Sequence, residues 1–135
     1  MIKIGAVFVP VTNLEHAIEW YKEKLDLNHV GTWPENKGAD FYFTEEKQYL
    51  SLVKVEEKQA VEFTANATSK NPYYNFTTVD LEAYHQHLQQ KGVKVTEIKD
   101  HGPILGFDFY DNDGNVFGVI VDKEEFDGFY QEDGK

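Results

Sequence analysis

Cysteine and arginine are both absent from these 135 residues, and no apolar run approaches the roughly 20 residues of a membrane-spanning helix. Without cysteine there is no disulfide framework, no thiolate metal site and no cysteine nucleophile. Without arginine all thirteen basic residues are lysines, so the planar fork that best grips phosphate or carboxylate is missing and a dianionic substrate is disfavoured. The segment Met1-Ile2-Lys3-Ile4 lacks the longer apolar stretch of a secretion signal, which makes a cytoplasmic protein the expectation. A formal net charge of −11 repels nucleic acid and anionic lipid, so neither is expected as a partner, and it draws cations toward any concave site. Part of that charge sits in the acidic tail of about 123–135 and bears on solubility alone.

What is present is a 41% hydrophobic chain, long enough to bury a core, in which one plan runs twice. The strand Ile4-Gly5-Ala6-Val7-Phe8-Val9-Pro10-Val11 leads through Thr12-Asn13-Leu14-Glu15 into a helix whose Leu14, Ala17, Ile18, Tyr21 and Leu25 trace one apolar face. Thr12 with Glu15 reads as a capping box. Three strands follow, at His29–Trp33, Ala39–Phe43 and Tyr49–Val55. The plan restarts at Tyr73-Tyr74-Asn75-Phe76-Thr77-Thr78-Val79, with Asp80 as N-cap, Leu81, Tyr84 and Leu88 on one face, and Lys91-Gly92 closing the helix. Strands at Val93–Ile98, Leu105–Tyr110 and Val116–Val121 complete it, the last two joined by the loop Asp111-Asn112-Asp113-Gly114-Asn115. Laying Val11 on Val79 sets the repeat at 68 positions. One domain is expected, with module one at about 1–57, a polar linker at about 58–71 in which Val61-Glu62-Phe63 could form a short extended piece, and module two at about 72–122.

The helix entry Val11-Thr12-Asn13-Leu14-Glu15 with Ala17-Ile18-Glu19-Trp20-Tyr21, the pieces Val79-Asp80-Leu81 and Lys91-Gly92-Val93, and the corner Phe109-Tyr110-Asp111-Asn112-Asp113-Gly114-Asn115 together resemble the vicinal oxygen chelate superfamily, also called glyoxalase/bleomycin resistance/dioxygenase. The resemblance spans nearly the whole chain. It implies an α+β fold in which two βαβββ modules form a curved mixed-sheet cup with the helices packed outside, usually in a homodimer. Metal-dependent relatives carry histidine, glutamine or glutamate on the first and last strands of each module. The matching positions here are Ala6, Ser51, Tyr74 and Gly118, none a good ligand, and a shift of one residue does not restore one. No cofactor and no metal residue is therefore expected.

Strand alternation assigns Val7, Val9, Val11, Phe107, Phe109, Phe117, Val119 and Val121 to the helix side. Their neighbours then face the cup, giving a candidate ligand-binding set of Phe8, Trp33, Tyr49, Ser51, Tyr74, Phe76, Asp108 and Tyr110. The rings offer stacking faces and Asp108 a charge for a cation; the competing reading is that they fill the cup as core. His16, His85 and His87 read as solvated, whereas His29 and His101 lie near strand ends within reach of the rim. Phe126, Phe129 and Tyr130 are candidates to dock on a partner or cover the cup.

The resemblance thus leads to a noncatalytic small-molecule binder, similar to the bleomycin resistance proteins, for an aromatic or cationic ligand. The alternative is a metal-dependent lyase, isomerase or dioxygenase of the glyoxalase type. Protein purified without chelator and challenged with zinc, nickel, manganese and iron is expected to retain no stoichiometric metal by elemental analysis. Near-stoichiometric retention would restore the enzyme reading.

Overall fold

The computed structural model describes residues 1–43, 48–124 and 130–131. Module one runs β1 (Ala6–Val11), α1 (Leu14–Leu25), β2 (Asn28–Thr32), β3 (Gly38–Tyr42) and β4 (Tyr49–Lys54), a sheet in the order β1-β4-β3-β2 with β1 parallel to β4. After a hairpin of β5 (Glu62–Asn66) and β6 (Ser69–Pro72), module two runs β7 (Asn75–Phe76), α2 (Leu81–Gln90), β8 (Lys94–Val95), β9 (Lys99–Asp100), β10 (Ile104–Tyr110) and β11 (Val116–Asp122). Its sheet, β7-β11-β10-β8 with β9 also on β10, repeats the first, down to the parallel pair β7 and β11. This is the α+β architecture of two βαβββ modules with external helices.

Alternation explains the layers. Val9, Val11, Leu50, Leu52, Ala39 and Phe41 from one sheet, and Phe107, Phe109, Phe117 and Val119 from the other, are buried beneath the helices. Ala17 and Tyr21 of α1 and Leu88 of α2 close this core from the outside. Fully burying each large apolar side chain contributes about 1.5–3 kcal/mol, so the shared cluster binds the two modules into one body.

The module seam has its own polar chemistry. In β1 the carbonyls of Phe8 and Pro10 point away from β4 toward module two, where the Tyr74 hydroxyl donates to Phe8 O (3.0 Å) and the Asn115 amide to Pro10 O (2.9 Å). Proline suits this edge because its missing N–H falls on the side without a ladder partner. The β10–β11 loop forms the second tie. Thr12 donates through its backbone N–H (2.8 Å) and its hydroxyl (2.7 Å) to the Asp113 carboxylate. Asp111, buried, accepts from the backbone N–H of Asp113 and Asn115, from the Asn115 amide, and from the fully buried Tyr21 hydroxyl at 2.5 Å. Burial, then the adjacent Asp111 charge, pushes the Tyr21 phenol well above its ordinary range, so it stays a donor.

Four expectations need correction. Because Asp113 engages Thr12, the N-cap of α1 is Asn13, whose side chain accepts from His16 N (3.1 Å); there is no Thr12–Glu15 box. Asn13 therefore corresponds to Asp80, which caps α2 by accepting from Ala83 N, and the repeat through the first strands and helices is 67 positions, not 68. The polar stretch between the modules is no open linker from residue 62 onward, since β5 and β6 pair around a turn in which Asn66 Oδ1 accepts from the Thr68 N–H and hydroxyl. His85 is not simply solvated: its Nε2 lies 2.8 Å from Thr96 O and its ring packs edge-on against Phe107. Phe126 and Phe129 lie outside the described residues, while Tyr130 is exposed.

The seam predicts a graded loss. Tyr21→Phe, which removes one donor from a buried carboxylate, is expected to cost about 1–2 kcal/mol in urea denaturation. Asp111→Ala, which strands four donors, is expected to cost clearly more. Equal, negligible effects would mean that the apolar cluster alone holds the modules together.

Candidate functional site

The face of each sheet turned away from the helices is built from the same pattern. On β3, Gly38, Asp40 and Tyr42 alternate with the buried Ala39 and Phe41, and on β10, Gly106, Asp108 and Tyr110 alternate with the buried Phe107 and Phe109. Gly38-Ala39-Asp40-Phe41-Tyr42 and Gly106-Phe107-Asp108-Phe109-Tyr110 are thus one motif, Gly-X-Asp-Phe-Tyr, in both modules. Each phenylalanine goes into the core, and each aspartate and tyrosine faces the cup.

The two copies have diverged in what surrounds the aspartate. In module one Asp40 stands opposite Ser51, whose hydroxyl donates to it at 2.6 Å, and Ser51 in turn stands beside Phe8 on β1. One row along, the Tyr42 and Tyr49 hydroxyls share a hydrogen bond of 2.8 Å with ring centroids 4.7 Å apart; that bond is the main reason the Tyr49 phenol is raised. At the other end Trp33 lies over Gly38, where its indole fills the space a Cβ would take. Phe8 is 55% exposed, an apolar ring left open on the face.

In module two Asp108 stands opposite Gly118, which sits beside Asn75. A cleft of about 290 Å³ opens there between Asp108, Asn75, Ile104, Ile120, His101 and the β6 residues Lys70 to Pro72. Asp108 is half-buried, and no hydrogen bond or ion pair reaches its carboxylate from the described residues. Burial raises its pKa; Glu62 adds to the rise, and Lys99 and His101 oppose it.

The sequence-derived site residues are therefore divided. Phe8, Tyr49, Ser51 and Trp33 share the module-one face, and Asp108 and Tyr110 the module-two face, where Lys94 Nζ sits 4.8 Å over the Tyr110 ring. Tyr74 and Phe76 are not on the cup face: their rings stack on the buried Phe117 at 6.5 and 5.4 Å, and Phe76 also meets Phe109 and Phe43. The 67-position repeat is the reason, since it places Asn75 level with Phe8, and a one-residue slip exchanges the faces of a strand. Nor do Ser51 and Gly118 leave vacant room, because the Ser51 hydroxyl is engaged by Asp40 and the Asn75 amide oxygen overlaps the position of a Gly118 Cβ. Of the two rim histidines, His101 lines the cleft, whereas His29 packs on the core residue Phe41 at 5.2 Å. Asp40, Tyr42 and Asn75 are the site residues that alternation did not select. The repeated Gly-X-Asp-Phe-Tyr motif is the sequence signal that marks the first two.

The donors on these strands do not fit a metal ion. Ala6 and Gly118 offer no side-chain donor, Tyr74 turns to the seam, and Ser51 is a neutral hydroxyl held by Asp40. Among the described residues no group of three or more histidine, aspartate or glutamate side chains is placed to hold one.

The description "Glyoxalase/Bleomycin resistance protein/Dioxygenase superfamily" belongs to the sequence family that matches residues 3–119. No curated protein matches in sequence. Among solved structures, an integron cassette protein from the mobile metagenome of Halifax Harbour sewage outfall is similar with a TM-score of 0.75 at 17% identity, covering 90% of this chain and 99% of its own. TnmS3, an antibiotic binding protein from Streptomyces sp. CB03234, has a TM-score of 0.70 at 22% identity over 91% of this chain and 98% of its own. A fosfomycin resistance protein from Listeria monocytogenes has 0.68 at 13% identity over 92% and 96%. At these identities it is the TM-scores that show a shared fold, and the fold alone.

The raised pKa of Asp108 carries a stability consequence. A carboxyl raised in the folded state holds its proton more tightly there than in the unfolded chain, so stability falls as pH rises from the ordinary carboxylate range through the folded value. Asp108→Asn is therefore expected to raise Tm at pH 8, with the gain shrinking as pH falls through the raised folded value and gone below the ordinary carboxylate range. A pH-independent difference would remove the burial argument.

Proposed function

The chain belongs to the glyoxalase/bleomycin resistance protein/dioxygenase superfamily, and from that membership we propose a small-molecule-binding protein that captures an aromatic or cationic ligand in its cup without a metal and without changing it chemically. The observation that carries this reading is the duplicated cup face, an aspartate and a tyrosine from each module, with no hydrogen bond or ion pair from the described residues to Asp108 in its cleft. A carboxylate beside aromatic rings in a partly desolvated concavity suits a cation with a flat apolar body. Around Asp40 the rings of Trp33, Tyr42, Tyr49 and Phe8 provide the stacking surface, and each such contact contributes roughly 0.5–1.5 kcal/mol beyond buried area. The antibiotic binding and fosfomycin resistance described for two proteins of similar fold are compatible with ligand capture here, and the ligand of this chain is defined only by that chemistry. The donor set described above gives a metal-dependent lyase or dioxygenase no support.

The proposal includes a cytoplasmic homodimer. No described helix is long and apolar enough to cross a membrane. Ile4, Phe63 and Tyr73 are exposed apolar side chains suited to contact with a second copy. A monomeric mass by sedimentation at micromolar concentration would remove the dimer, and recovery of the native protein outside the cytoplasmic fraction would remove the location.

As a probe, the planar cation 9-aminoacridine is expected to bind with a Kd of order 10 μM, followed by its fluorescence anisotropy. Trp33→Ala and Tyr49→Ala are each expected to weaken binding by roughly 3- to 10-fold. Undiminished binding in both variants would separate the aromatic face from ligand capture.

A further inference from the structure

The module-two cleft contains an imbalance of hydrogen-bonding groups. Asn75 donates its amide N–H to Pro72 O at 3.2 Å, and this bond turns its amide oxygen toward Gly118. That oxygen and Asp108 Oδ1 both border the point where a Gly118 Cβ would stand. No donor from the described residues reaches either oxygen. The equivalent point in module one is occupied by a donor instead: Ser51 supplies a Cβ and a hydroxyl, and the hydroxyl donates to Asp40.

One module thus supplies its own donor to the aspartate, and the other presents two acceptors with a glycine beneath them. Asp108 is half-buried and Asn75 exposed, so water reaches both oxygens, and a ligand that places a donor between them takes the place of that water. A carboxylate and an amide oxygen together match a cationic N–H group, because the charge offsets Asp108 and two N–H bonds satisfy both oxygens. Ile104 and Ile120 in the same cleft provide apolar contact for the carbon next to such a group.

We propose that the cleft lined by Asp108 and Asn75 is a subsite for a protonated primary amine of the ligand, which donates to Asp108 and to Asn75 Oδ1. This rests on the ligand-capture reading and adds the group recognised and the atoms that recognise it. Gly118 is then a positioning residue. It allows the Asn75 amide to lie against the β11 backbone, and any side chain there would displace it.

Three probes of one shape separate the contributions: phenethylamine, 2-phenylethanol, and phenethyltrimethylammonium, which keeps the charge but has no N–H. Titrations followed in the amide NMR spectrum, including the Asn75 side-chain amide, are expected to show phenethylamine binding at least about tenfold more tightly than either analogue. Asp108→Asn is expected to lower its affinity by about tenfold or more, and Asn75→Ala severalfold, with a dispersed spectrum confirming that each variant is folded. Equal binding of the trimethylammonium compound would overturn hydrogen-bonded recognition in favour of charge alone. Equal binding of the alcohol would overturn the amine subsite and leave a general apolar cleft, with ligand capture intact. Binding of none of the three at this cleft would overturn the subsite and remove module two from the capture reading as well.

Discussion

Asp111 is the residue on which the two-module structure turns. A carboxylate in the interior is tolerated only when its lone pairs are filled, and here two backbone N–H groups, one amide and one phenol fill them. The phenol belongs to α1 of module one and the other donors to the β10–β11 loop of module two, so satisfying the charge fixes one module against the other. The same loop sends Asp113 to Thr12 and Asn115 to Pro10. The acidic oxygens of this loop are thus spent on protein donors.

This fixed seam is what gives the cup its chemistry. β1 and β7 have a ladder partner on one side only, and side chains rather than a further strand cover the carbonyls of β1. Tyr74 and Phe76 are consumed in that work, one ring bonded to β1 and both stacked on Phe117. The cup face is left with the Asp-Tyr pair of each third strand, and duplication followed by divergence has made one pair self-satisfied and the other open. Ser51 against Gly118, and Phe8 against Asn75, are the two differences that produce this asymmetry.

Much of the fold is legible in the residues because the controlling interactions are local. Apolar spacing of three and four in Leu14–Leu25 and in Leu81–Gln90, alternation in Ile104–Tyr110 and Val116–Asp122, and the Asp80 cap all act within a few residues. Only the start of the hairpin β5–β6, at Val61-Glu62-Phe63, is legible in the sequence, because its residues are mostly polar and exposed, and pairing rather than burial holds it. The candidate site was half legible. Asp108, Tyr49, Ser51 and Phe8 follow from alternation within long strands, but Asn75 sits in a two-residue strand where alternation has almost nothing to count.

The sequence by itself determined a duplicated α+β chain, the membership of most core residues, the absence of thiolate chemistry and an aromatic, acidic cup. It also contained, in the two Gly-X-Asp-Phe-Tyr segments, the pairing of Asp40 with Asp108. Only the tertiary structure decided that Tyr74 and Phe76 belong to the core, that Asn75 lines the cleft beside Gly118, and that Asp40 has a hydrogen-bond donor while Asp108 has none among the described residues. Each of these depends on the register between strands far apart in the chain. A slip of one residue there exchanges both faces of a strand at no cost to any local preference, so only the assembled core and the buried Asp111 network can select the register.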